Sequence, residues 1–229
     1  MRRGGSCVRI GLETANQRAT RMYNRIAGQN LERIAALSDG LFAIAMTLIV
    51  LDIRVPPETA IHGEADLGRA LLALSPRIVM YLMSFLTLGI FWVGQQTQLN
   101  YLARADRDLA WIHIAFLAAV ATMPFSTTLL AEFIAYRTAM LVYWANLLLL
   151  GLTLYWSWRH ARHARLIKAD APSNIDRAIE RRIVIAQSLY ALGVLFCIAS
   201  TFLSIAFIFL VQLYYAIGPR LLGQRKADL

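Results

Sequence analysis

Charge is scarce in this chain. Of 229 residues only 16% are Asp, Glu, Lys or Arg, against 58% hydrophobic, and the mean hydropathy is +0.52. So much apolar surface exceeds what one soluble core buries, which excludes an ordinary soluble domain and makes the bilayer the solvent for the remainder. Cysteine is nearly missing too: Cys7 stands in a polar tail and Cys197 inside an apolar run, at different depths, so no structural disulfide is expected. No apolar run precedes the GGSCV segment around Cys7, so neither a lipoprotein signal nor a cleaved leader is expected. Enzyme chemistry finds little to use. There is no nucleophile with a base, no pair of intramembrane carboxylates and no phosphate loop. His160 and His163 share a helix face but stand among Arg159, Arg162 and Arg165 with no carboxylate or thiol near in sequence. They read as part of a positive anchor, and no metal site or resident cofactor is expected.

What is present is a series of long apolar runs. Crossing roughly 30 Å of hydrocarbon at about 1.5 Å per residue takes about 20 residues. Runs near 34–53, 77–98, 109–131 and 138–158 meet this. The stretch from Ile183 to Ile217 would be roughly 50 Å long as one helix, so two spans with a turn near Ala199 to Ser204 fit better. The fold class expected is therefore all-α, a polytopic membrane protein with six transmembrane helices.

Basic residues test that number. Nineteen of the 23 Lys and Arg fall in the N-terminal tail, the loops after the second and fourth spans, and the C-terminus; Arg54, Arg69, Arg77 and Arg137 fall on the other side. The positive-inside rule then puts both termini in the cytoplasm, which requires an even number of spans. The net charge of +9 is spread over short segments between apolar runs, a pattern of membrane topology and of contact with lipid rather than of nucleic-acid binding. The domain organisation expected is a flexible basic cytoplasmic tail over 1–30, a six-helix transmembrane unit over 31–219 and a short cytoplasmic tail over 220–229. VPPETAIHGEAD, acidic and helix-breaking, reads as an outer loop, and ADAPSNID as a cytoplasmic turn with a helix start capped by Ser173 or Asn174. His113 and Asn146 are lone polar groups in apolar spans, expected to bond between helices, and Met123-Pro124-Phe125 marks a kink or span end.

The first span, RIAALSDGLFAIAMTLIVLDI, breaks the membrane pattern once, with Ser38 and Asp39 about one turn inside the apolar run. A carboxylate there needs water or a partner. Arg33 is six residues away and about 240° around the helix, so the partners of Ser38 and Asp39 are expected on another helix or subunit. Further along, Thr47 is the only polar side chain, and Leu37, Leu41, Ile44, Leu48 and Leu51 form one branched aliphatic stripe. The other face is apolar as well, so periodicity leaves open whether the stripe meets lipid, other helices or a pore.

The RxxxLSDGLFAIAMTLIVLDI segment, followed by LSPRIVMYLMSFLTLGIFWVGQQ and RADRDLAWIHIAFLAAVATMPFSTTLL, resembles the endolysosomal potassium-channel family and its prokaryotic relatives over about 100 residues. The resemblance implies a subunit of a potassium-preferring cation channel in the plasma or inner membrane, with potassium as permeant ion, assembled as a homotetramer whose four first spans line the pore. It implies a constriction at Ile44, further apolar rings at Leu48 and Leu51, a threonine layer at Thr47, and a structural polar motif of Arg33, Ser38, Asp39 and Trp92. Two positions depart from the family pattern: Leu37 replaces a phenylalanine, and Gln95 and Gln96 stand where relatives often carry histidine. No TVGYG run occurs in the chain, so carbonyl-lined potassium selection is absent. The competing class is a secondary transporter for a small cation or organic solute, which would place ionisable residues at mid-membrane on several spans. Here Asp39 is the one candidate, near one end of its span.

Overall fold

Each apolar run ends where the sequence supplies a cap, a proline or a polar turn, and the computed structural model, which describes residues 30–224, follows those breaks. Helix α1 spans Leu31–Val50, starting where the Asn30 side chain accepts a hydrogen bond from the Arg33 amide at 3.2 Å. The outer-loop sequence contains a single 3₁₀ turn, Glu58–Ala60, and a short helix α2, Glu64–Ala73. Helix α3, Ser75–Asn100, begins with Pro76 in its first turn, where the missing amide hydrogen costs nothing. Helix α4 is Arg107–Ala121, capped by Asp106, and α5 is Met123–Glu132. Helix α6 is Arg137–His163, α7 Ile175–Leu195 and α8 Thr201–Gln224. Among the described residues there is no strand, only one antiparallel bridge between Leu102 and Ile167. The tail expected over 1–30 lies, Asn30 apart, outside the described residues, as do Cys7 and residues 225–229.

Five stretches are long and apolar enough to cross a membrane: α1, α3, α4 with α5, α6, and α7 with the turn after it. The protein is thus a multi-pass membrane protein built from helices. The apolar run after Ile183 breaks at a 3₁₀ turn, Phe196–Ile198, and resumes as the shorter apolar helix Thr201–Ile217 within α8. The two arms pack closely because of Gly193: a Cβ there would lie 2.7 Å from Ile208 Cγ1, and the Ser204 hydroxyl reaches the Gly193 carbonyl at 2.6 Å. At the start of α7, Asn174 holds the N-cap position, but its side chain makes no capping bond.

Lipid tails are as apolar as leucine, so close packing and hydrogen bonds, not hydrophobicity, hold such helices together. The core is lined by Met80, Met83, Leu88, Leu147, Leu150 and Tyr143, all buried. Through it runs a chain of hydroxyls: Thr127 donates to Ser84 at 2.7 Å, Ser84 to Tyr143 at 3.3 Å, and Gln212 to Thr87 at 2.6 Å, linking α3, α5, α6 and α8. His113 departs from expectation, its Nδ1 lying 3.1 Å from the Leu109 carbonyl one turn back in its own helix. Asn146 does bond between helices. Pro124 breaks the continuous run of α4 and α5 and frees the Ala119 carbonyl and the Met123 amide from each other. In the orientation that satisfies both ends, the Asn146 amide donates to Ala119 O at 3.0 Å and accepts from Met123 N at 3.3 Å, filling the gap in the ladder. Asn146→Leu is expected to leave the Met123 amide bare in an apolar setting, and the Ala119 carbonyl with the Thr122 hydroxyl at 2.9 Å as its remaining donor, and so to destabilise the fold by about 1–3 kcal/mol, read as a lowered thermal midpoint in detergent.

Candidate functional site

Helix geometry decides what α1 shows to its own chain. With Ile44 as origin and 100° per residue, Ser38, Phe42, Ala45 and Ile49 fall in one sector centred roughly 130° away. These four are the buried residues of α1. Phe42 packs its ring 5.9 Å from that of Phe116 on α4, and Ala45 and Ile49 join the same core. The aliphatic stripe points elsewhere: Leu37 and Ile44 are each 57% exposed, Leu48 46% and Leu51 69%. Leu41, on the flank, is partly buried against the core. Ile44, Leu48 and Leu51 lie within an arc of about 60°, with Thr47 about 60° to one side of Ile44.

Two polar residues fix this orientation. Ser38 is fully buried; its hydroxyl donates to the Ile34 carbonyl at 2.8 Å and accepts from Gln95 Nε2 at 2.7 Å. Asp39 Oδ1 accepts from Trp92 Nε1 and from Gln96 Nε2, each at 2.7 Å. Trp92, Gln95 and Gln96 share one face of α3 at spacings of three and four, so a single patch of α3 grips α1 at two adjacent residues. The partners expected on another helix are therefore on α3, within the same chain. Sequence reasoning noted Gln95 and Gln96 only as departures from a pattern; their spacing from Trp92 was the signal that they face α1. Arg33 sits in the first turn of α1, exposed, and among the described residues its guanidinium has no carboxylate partner.

Thr47 is exposed, yet its hydroxyl is not free to rotate. Its hydrogen is shared between the Ala43 carbonyl at 3.0 Å and the Ile44 carbonyl at 2.8 Å. The oxygen lone pairs consequently face outward from the helix, beside the stripe. The far end of α1 is held too. Past its C-cap, Leu51, the Asp52 carboxylate and carbonyl each lie 3.4 Å from the Arg77 guanidinium of α3, which also pairs with Glu132 at the end of α5. Nothing in the sequence marked this ion cluster, whose members lie 25 and 55 residues apart. At the opposite end of the bundle His160 Nε2 lies 3.0 Å from the Asp106 carboxylate that caps α4, a partner invisible to local sequence. No group of three or more metal-ligating side chains occurs among the described residues.

Comparison with known proteins places these features in a family. Residues 33–124 match the family model described as endosomal/lysosomal potassium channel TMEM175. A potassium channel of Streptomyces collinus is 35% identical over 202 residues, covering 85% of this chain and 96% of its own. A potassium channel of Chamaesiphon minutus is 32% identical over 189 residues, covering 81% of this chain and 93% of its own. The crystal structure of a lysosomal potassium-selective channel TMEM175 homolog from Chamaesiphon minutus superposes with a TM-score of 0.72 at 30% identity. It covers 82% of this chain and 96% of the other.

Proposed function

Because the chain belongs to the family of the endosomal/lysosomal potassium channel TMEM175, we propose that it forms a passive, potassium-preferring channel of the cell membrane, four copies surrounding one axis and each giving α1 to the pore. The observation that carries this reading is the aspect of α1. Its own chain grips it through Ser38, Asp39, Phe42, Ala45 and Ile49 and leaves Ile44, Thr47, Leu48 and Leu51 uncovered. The similarity to potassium channels over most of the chain supports the ion. Six crossings with both termini in the cytoplasm fit the five long spans plus Thr201–Ile217, and fit nineteen basic residues on one side against four on the other.

In this pore Ile44 makes the constriction, and Leu48 and Leu51 continue it. Branched aliphatic side chains offer no oxygen to replace water, so a cation passes only by shedding or deforming its hydration shell. Potassium holds its water less tightly than sodium, and the barrier is lower for it. The outward lone pairs of Thr47 return part of the lost hydration. Thr47→Ala is therefore expected to lower the potassium-to-sodium permeability ratio about two- to fivefold, the equivalent of about 0.5–1 kcal/mol, measured as a shift in bi-ionic reversal potential. The decisive test of the function is flux into liposomes carrying the purified protein. A channel dissipates a potassium gradient faster than a sodium gradient, without saturation or a second coupled solute; saturable, coupled uptake would establish a transporter instead.

A further inference from the structure

Between α3 and α7, towards the end at which α7 begins, the bundle leaves a partly open cavity of about 70 Å³. Its walls are mostly hydrocarbon: Phe91 and Gly94 from α3, Leu154 from α6, and Ile183 and Ala186 from α7. At its rim stands Arg182, exposed, the last charged residue before the apolar part of α7. The guanidinium carbon lies 6.0 Å from the centre of the Tyr215 ring on α8, a contact that holds the cation over the opening and leaves its N–H groups unspent. Arg181, the preceding residue, is exposed as well, and Arg177, further back on α7, is also exposed. The nearest carboxylates along the sequence are Glu180, paired with Arg162 at 3.1 Å, and Asp176 in the first turn of α7.

A fixed cation at the level where hydrocarbon begins, above an apolar cleft, has the chemistry of a lipid site. We propose that this cleft holds one anionic phospholipid, its phosphate on Arg182 and the upper part of one acyl chain between Phe91, Leu154, Ile183 and Ala186. At roughly 30 Å³ per water-sized group, the cavity takes about two or three methylenes. The rest of the chain lies along the outer surface of the bundle. A net-neutral choline lipid gains less here, because its ammonium would be brought close to the Arg182 guanidinium. The proposal rests on the channel reading only in assigning the start of α7 to the cytoplasmic leaflet, where anionic lipid is concentrated.

The test is retention of dioleoyl phosphatidylglycerol against dioleoyl phosphatidylcholine by the full-length protein in detergent, counted by native mass spectrometry. The wild type is expected to keep phosphatidylglycerol preferentially. Arg182→Gln should lower that retention about fivefold, the worth of about one surface charge. Ala186→Phe, which fills the cleft and leaves the charge untouched, should lower it as well, while Arg159→Gln, an exposed arginine outside the cleft, should not. Should Ala186→Phe prevent purification, Gly94→Leu fills the same space from α3, where a Cβ meets only Leu154 Cδ2 at an ordinary 3.4 Å. Equal retention of the two lipids, no effect of Arg182→Gln, no effect of filling, or an equal loss with Arg159→Gln each overturns the site. The readout does not depend on conduction, so failure here and failure of the channel reading are separable.

Discussion

Channels carrying Ile44→Asn are expected to pass potassium on the order of tenfold faster than the wild type and to distinguish it from sodium poorly. The reasoning begins with the exposure of Ile44, its place at the centre of the uncovered stripe, and the absence of any oxygen within that stripe except at Thr47. In the proposed pore, a ring of four isoleucines would disfavour water as well as ions, and the cost of entering it would be the selectivity barrier. Four carboxamides hydrate the ring and supply carbonyl oxygens, and a drop of about 1.4 kcal/mol in the barrier is tenfold in rate. Leu48 and Leu51 remain in series, so the gain is limited to the share of the barrier that lies at Ile44. Single-channel conductance and bi-ionic reversal potential measure the two halves of the prediction. An unchanged current with unchanged selectivity would remove Ile44 from the ion path.

The helices were legible because membrane spans announce themselves by length and charge. The runs starting near residues 77, 109 and 138 lie within α3, α4 with α5, and α6; the first, 34–53, overshoots α1 by three residues, since the helix ends at Val50; and the long run after Ile183 does break, at Phe196–Ser200. The family was legible from the first-span motif, because an aspartate and a serine inside an apolar run are costly enough to be distinctive. Contacts between distant segments were not legible. Asp52 with Arg77 and Glu132, and His160 with Asp106, join residues whose neighbours in sequence are ordinary loop or helix ends. The capping of α7 failed for a related reason: Asn174 has the right chemistry at the right place, but its backbone is already helical and turns the side chain away from the amides it would cap. Asn146 shows the opposite case. Its polarity was visible, whereas its purpose depended on Pro124 in another helix, 22 positions earlier.

Asp39→Ala tests whether the orientation of α1 is set where the structure places it. In the wild type one carboxylate oxygen accepts from both Trp92 and Gln96 at 2.7 Å, and the neighbouring Ser38 accepts from Gln95 at the same distance. Loss of the carboxylate strands two donors of α3 in a largely apolar setting and leaves α1 held there by Ser38 alone. Interhelical hydrogen bonds in membranes are worth about 0.6 kcal/mol on average, so each subunit loses on the order of 1 kcal/mol, and in the proposed tetramer four subunits would lose it together. The expected result is a preparation in which tetramers are depleted tenfold or more, seen by size exclusion or native mass spectrometry, with residual currents of altered selectivity. Asp39→Asn separates geometry from charge. An amide oxygen still accepts from Trp92 and Gln96, so the asparagine variant should assemble. If instead Asp39 acts by drawing cations to the pore mouth, the asparagine variant will assemble but conduct poorly at low salt, where surface charge is least screened. Tetramers of Asp39→Ala in normal yield, carrying normal currents, would show that α1 is oriented by Phe42, Ala45 and Ile49 without help from the polar pair.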